Sequence, residues 1–219
     1  QKFYGRAARY SYFVGSSTGG RQGLTEAQRF PEDYDGIIAR CPAVNWQHLI
    51  ANSLWPHLVM LEAKNVLAKA KFDAVTAAVV AACDGADGVM DGVIDDPMQC
   101  TWDPKAFVGT KVGDETFTAT DADVVRKIWD GPRGRDGKSL WYGLTRGASF
   151  SGLAATEGNP PVGKPFGAGL DRFRFLLAQN PAWDWTTLTR DELELFVQQS
   201  VEMYGAVAGS DDPDLTRFR

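Results

Sequence analysis

The sequence predicts an α/β fold in which a short strand–helix–strand unit is followed by a long, mainly helical segment. Three observations carry this. An apolar run over 10–14 enters a glycine-rich turn and then a helix-forming stretch over 21–30. A second apolar run over 36–42 follows one turn later and is closed by Pro42. From Asn45 onward, apolar residues recur at helical spacing between loops rich in Asp, Gly and Pro.

Taken in order, residues 2–9 read as the end of a helix. Tyr10–Val14 then reads as a buried strand and Arg21–Phe30 as a helix. Pro31–Asp35 is a turn, and Gly36–Pro42 a second buried strand. Two strands joined by one helix form a parallel pair with a right-handed crossover. Such a pair does not stand alone, so the rest of its sheet is expected from elsewhere. Trp46 to about Ala70 has helical spacing with a kink or break at Pro56, and Phe72–Cys83 is a short Ala/Val helix. A helix over Thr120–Trp129 starts at Thr120, with Asp121 and Asp123 in its first turn. Residues 131–169 read as long ordered loop, and Leu170–Gln179 as an amphipathic helix. Thr189 and Glu192 form a capping box opening a helix to about Tyr204, and 211–214 is a turn. The implied domains are a core at 1–44, an inserted helical lid at 45–208 and a return toward the core at 209–219.

Chemistry concentrates at the first turn. Gly15-Ser16-Ser17-Thr18-Gly19 is a G-x-S-x-G sequence placed between a strand and a helix, the setting of a nucleophile elbow. The turn is sharp, so Ser17 takes a strained conformation, and the flanking glycines avoid Cβ collisions with the strand or helix. The helix behind it offers unpaired N–H groups and a positive dipole end. Ser17 is the candidate nucleophile, and the Thr18 N–H the candidate oxyanion donor.

Composition removes several classes. With 23 Lys+Arg against 28 Asp+Glu, the net charge of −5 lacks the basic face of a nucleic-acid binder. No apolar run approaches a membrane span. The chain opens on Gln1, Lys2 and Phe3, which reads as a processed or cut end, so the lack of a leader carries no weight. Of three cysteines, Cys83 and Cys100 flank a loop they can close as a disulfide, leaving Cys41 over. That loop holds Asp84, Asp87, Asp91, Asp95 and Asp96 among Gly85, Gly88 and Gly92. Hard carboxylate oxygens on a glycine-permitted loop suit Ca²⁺, although the spacing is not that of an EF-hand. The same residues also make an ordinary solvated turn.

Gly15–Gly23 followed by Glu26–Ala39 resembles the tannase and feruloyl esterase family. The likeness continues through Asp87–Pro97, Tyr142–Leu144 and Gly147–Ala148, covering nearly the whole chain. The resemblance implies a fragment of an α/β-hydrolase core carrying the elbow, plus a large, mainly helical lid. It implies a serine carboxylic ester hydrolase acting on esters of aromatic acids such as ferulate or gallate. It also implies a structural Ca²⁺ held by the side chains of Asp84, Asp87 and Asp91 and the carbonyls of Val89 and Val93, and a secreted or periplasmic location. One departure is Ser16, where the family has a Cys bonded to a second Cys beside the catalytic His.

A serine hydrolase needs a histidine base oriented by an acid. The only histidines, His48 and His57, fall where the lid begins and are expected to be polar groups of lid helices. The chain is therefore expected to be a segment of a longer hydrolase whose remaining part carries the Asp and His. Aromatic residues in 141–150 and 166–185 are candidate pocket walls for a small aromatic ester. The competing reading is a non-catalytic, calcium-stabilised lid fragment that binds an aromatic ligand or a partner chain.

Overall fold

The computed structural model describes residues 3–218. Lys2, in the expected helix end, lies outside that range. The chain forms two compact units, Gln1–Leu49 with Ser200–Arg219, and Ile50–Gln199.

In the first unit β1 (Tyr12–Ser16), α1 (Thr18–Arg29) and β2 (Gly36–Arg40) form the expected parallel crossover. Tyr12 pairs with Gly36 and Ser16 with Arg40, so the whole of each strand is in register. α1 packs on one face of this pair through Gly23, where a Cβ would sit 3.0 Å from Ile37 and 3.2 Å from Phe13. The opposite face corrects the expectation of buried strands. Tyr12 and Val14 are each 65% exposed and Ile38 is 58% exposed, because among the described residues this face of the sheet is left uncovered. Residues 3–9 form turns and bends rather than a helix end. Gly5 at φ 69° lies in the left-handed region, which interrupts a right-handed helix there.

The last part of α6 (Arg190–Ala208) and the segment after it close this unit. Arg29 donates to the Ala206 carbonyl at 2.8 Å. The Gln28 side-chain amide donates to the carbonyls of Ser210 and Asp212 at 2.8 and 2.9 Å.

The second unit is helical, as expected of a lid. α2 (Trp46–Ala63) runs through Pro56, which removes one backbone hydrogen bond without ending the helix. Its Leu54, Trp55, Leu58 and Val59 are buried, with Phe72, Val75 and Val79 of α3 (Lys69–Cys83) and Val124, Val125 and Ile128 of α4 (Ala119–Asp130). α4 starts one residue earlier than expected. Thr118, not Thr120, caps it in a capping box with Asp121. Asp121 is buried and accepts from Asn65 at 2.8 Å and from Lys71 at 2.9 Å, and Lys71 also meets Glu115 at 2.9 Å. Burial alone would raise the Asp121 pKa, but bonds from Asn65, Thr118 and Lys71 prevail and hold it below the usual carboxylate value. Burial would likewise lower Lys71, yet Glu115 and Asp121 hold it above its usual value.

Two small antiparallel hairpins lie in this unit: β3 (Lys111–Val112) with β4 (Glu115–Thr116), and β5 (Thr156–Glu157) with β6 (Val162–Gly163). The expected amphipathic helix over 170–179 is α5 (Gly167–Asp171) continued by a π-helical stretch, Arg172–Leu177.

Candidate active site

Ser17 sits between β1 and α1 with φ 57° and ψ −115°, a conformation that non-glycine residues rarely take. The fold holds it there with backbone bonds. Its N–H donates to the Arg40 carbonyl at 3.1 Å, and its carbonyl accepts from Arg21 at 3.0 Å and Ala43 at 3.3 Å. Close approach by neighbouring chain explains two of the nearby glycines. A Cβ on Gly15 would lie 2.2 Å from the Gly19 carbonyl oxygen, and one on Gly20 would lie 2.5 Å from the Arg40 oxygen. Gly19 differs: a Cβ there meets nothing within 4 Å, so the collision expected at this glycine does not exist.

The result is an exposed Ser17 at the mouth of α1. No side chain caps that helix, and its first turn carries no acidic residue. The first amides, Thr18 among them, thus keep their donor capacity and the positive dipole end uncompensated. An anion forming at Ser17 would meet that end of the helix.

The parallel register brings a further group beside the elbow. Because Ser16 pairs with Arg40, Cys41 follows β2 where Ser17 follows β1. Cys41 is exposed, has φ 33°, and its Sγ lies 3.2 Å from Ser16 Oγ. The Ser16 hydroxyl, then the Ser17 amide and the Arg40 charge, lower the thiol pKa. Inspecting residues singly misses this neighbour, whereas pairing the two predicted strands in parallel would have located it.

The two histidines lie outside the elbow sequence, one in each unit. His57 is buried in the second unit, with Nε2 3.1 Å from the Ala155 carbonyl and its ring edge-on to Trp185 at 5.4 Å. Burial depresses its pKa, more strongly than the Ala155 bond raises it. His48 is half-buried in the first turn of α2, its backbone N–H bonded to Asn45.

In the second unit Cys83 and Cys100 are joined as a disulfide. The loop they close winds around Asp84, which is buried and whose Oδ1 accepts N–H bonds from Asp91, Gly92 and Val93 at 3.3, 3.0 and 3.1 Å. Asp87 accepts from the Val89 N–H at 2.8 Å, and Asp91 from the Val93 N–H at 3.0 Å. Gly88 and Gly92 take positive φ, which permits these tight bends. Among the described residues no three His, Cys, Asp or Glu side chains converge as a metal-ligand group. Carboxylates and backbone carbonyls are donors of the type a hard cation takes, but the side chains of Asp84, Asp87 and Asp91 as they stand cap backbone amides.

Among the aromatic residues in 141–150 and 166–185, Phe150 and Phe173 belong to the core. Phe150 stacks on Phe72 at 4.5 Å, and Phe173 stacks on Trp183 at 5.5 Å. Tyr142, Phe166 and Phe175 remain exposed. No helix among the described residues is long and apolar enough to cross a membrane.

Comparison with known proteins places this geometry in context. The family model described as "Tannase and feruloyl esterase" matches residues 1–219. A probable feruloyl esterase of Arthroderma benhamiae is 39% identical over the full chain, and the chain spans 42% of that relative's length. Feruloyl esterase B of Aspergillus niger is 29% identical, and again the chain spans only 41% of its length. Among solved structures, feruloyl esterase B from Aspergillus oryzae matches 99% of the chain, and 42% of its own, at a TM-score of 0.78 and 26% identity. Tannin acyl hydrolase from Aspergillus niger matches 99% of the chain and 42% of its own at a TM-score of 0.84; at 23% identity it speaks for the fold alone. The elbow unit and the helical unit are thus parts of an α/β-hydrolase fold with its lid, and the chain belongs to the tannase and feruloyl esterase family.

Proposed function

We propose that this chain supplies the nucleophile and the lid of a serine esterase acting on esters of hydroxycinnamic, gallic or similar aromatic acids. The observation that carries the reading is the strained, exposed Ser17 held at the uncapped N-terminus of α1. Ser17 Oγ attacks the ester carbonyl as a histidine base takes its proton, and the carbonyl oxygen becomes an oxyanion. The Thr18 N–H and the end of α1 stabilise that charge, a contribution worth roughly 10²–10³-fold in rate for one donor. The tetrahedral carbon then expels the alcohol, which leaves with the proton from histidine, and water hydrolyses the acyl-serine by the same route.

The base and its acid are assigned to the remaining segment of the hydrolase: His57 is buried in the second unit against the Ala155 carbonyl, His48 belongs to the first turn of α2, and the chain spans 42% of the length of its Arthroderma benhamiae relative. The exposed face formed by Tyr12, Val14 and Ile38 supports that assignment, since it is where further core would cover the sheet. Secretion or a periplasmic location fits the disulfide, which persists in oxidising compartments. A structural Ca²⁺ is assigned to the loop at 84–93, held by the side chains of Asp84, Asp87 and Asp91 and the carbonyls of Val89 and Val93. It requires Asp87 and Asp91 to turn inward from the amides they now cap, and it would offset repulsion between the carboxylates.

The deciding assay is hydrolysis of methyl ferulate by the full polypeptide containing this chain, with Ser17→Ala beside it. Loss of turnover in the variant with unchanged folding is expected; full turnover would remove the nucleophile reading. The burial of His57 against Ala155 in the second unit favours one alternative, a lid fragment that binds aromatic ligands without catalysis. Activity in the full polypeptide that Ser17→Ala abolishes would exclude it.

A further inference from the structure

We infer that Ser16 and Cys41 form a side-chain latch that positions the nucleophile, with the segment after β2 acting as the clamp for the elbow. The inference rests on the reading of Ser17 as nucleophile and goes beyond it, to what keeps Ser17 in its strained conformation. That conformation persists only if its surroundings over-determine it. Besides the bond from Arg21 within α1, the surroundings are one short segment, Arg40 to Ala43. Arg40 accepts the Ser17 N–H, Ala43 donates to the Ser17 carbonyl, and the backbone at Arg40 and Pro42 packs on Gly20 so closely that a Cβ would lie 2.5 and 2.9 Å away. Both backbone groups of Ser17 are therefore fixed from the same four residues.

The segment lies past the last paired residues, Ser16 and Arg40, where strand pairing no longer ties it to β1. The contact across that open end is the 3.2 Å approach of Ser16 Oγ and Cys41 Sγ. It joins the residue immediately before the nucleophile to the residue immediately after the strand that holds it. Cys41 itself has φ 33°, so the segment carries strain where the latch closes. Both side chains are exposed, and neither belongs to the buried core, so their removal leaves the packing of the unit intact. Ser16 and Cys41 are positioning residues: they touch no reacting atom and act through Ser17.

The test is a double-mutant cycle in the full polypeptide, using Ser16→Ala, Cys41→Ala and the pair, with methyl ferulate as substrate. Each single change is expected to lower kcat about fivefold with KM unmoved, the scale of one modest hydrogen bond. The double variant is expected to be no slower than either single one, because each removes the same interaction. Cys41→Ser, which keeps a hydrogen-bonding group, is expected to recover most of the loss. Thermal melting of all variants should stay close to the parent, separating positioning from unfolding. Independent losses that multiply in the pair, a loss not recovered by serine, or no loss at all would overturn the latch. If Ser17→Ala abolishes turnover while Cys41→Ala does nothing, only the latch fails. If Ser17→Ala leaves turnover intact, both fail.

Discussion

Gly15→Ala and Gly19→Ala change the same atom count on either side of Ser17, and the structure predicts opposite outcomes. A Cβ on Gly15 would sit 2.2 Å from the Gly19 carbonyl oxygen, 2.4 Å from its carbon and 2.7 Å from Phe13 Cε1. The phenyl ring can turn aside, but the carbonyl belongs to the first turn of α1 and moves only with the helix. Against a relaxed separation of about 3.5 Å, the overlap is roughly 1.3 Å. Overpacking typically costs 1–3 kcal/mol, and rigid backbone places this case at about 3 kcal/mol. Because relief comes from shifting the turn that holds Ser17 and the Thr18 amide, a displacement near 1 Å would cost roughly 100-fold in turnover. At Gly19 a Cβ meets nothing within 4 Å. Alanine there is expected to add roughly 0.5 kcal/mol by restricting the unfolded chain. Hydrogen exchange at the Gly23 and Leu24 amides across a urea series reads the stability of α1 directly, and methyl ferulate turnover reads the elbow. A Gly15→Ala protein as protected and as active as Gly19→Ala would refute the close-packed elbow.

Two further outcomes follow from the second unit. Asp121→Asn removes one partner of a buried ion pair and should destabilise that unit by about 3 kcal/mol, near the lower end for such losses because Lys71 keeps Glu115. Asp121 is depressed in the fold, so its contribution is present above the unfolded value near 3.9 and is lost as pH falls through the lower native value. Lys71 is raised, so its contribution is present below about 10.4 and is lost as pH climbs through the native value. Urea unfolding followed by tryptophan emission reads this unit, which holds every Trp except Trp46, and Asp121→Asn should flatten the acid limb. For the loop, chelator should lower the melting temperature and Tb³⁺ should give sensitised emission that Asp84→Ala removes. Identical melting with and without chelator, and no Tb³⁺ signal, would remove the cation.

The elbow was legible because its signal is local: a strand, a serine between glycines and a helix leave few other conformations. What covers the strands was not. Apolar character at Tyr12, Val14 and Ile38 says that a face wants cover, not that cover is present. The first strand begins two residues later than its apolar run because the chain before it is held otherwise. The Ser11 carbonyl accepts from the Asp35 N–H, and the Ser11 N–H donates to the Asp35 carboxylate. The start of α4 was ambiguous, since Thr118 with Asp121 and Thr120 with Asp123 are equally good capping boxes. Burial of Asp121 against Lys71, separated from it by 50 residues, decides between them. In the acidic loop, spacing reveals which oxygens are near but not whether they face inward. An Asp two residues before an amide caps it readily, as Asp87 and Asp91 do.

The bonds from Gln28 to Ser210 and from Arg29 to Ala206 span 182 and 177 residues of chain. On a ribosome, the helix behind the serine thus emerges long before the residues that secure its far end. All of 50–199 is synthesised in between, and a contact closing so large a loop forms late. Within this chain, completion therefore runs against the direction of translation: the intervening helical insert has all of its residues first, and the corner that holds Ser17, begun before it, closes after it.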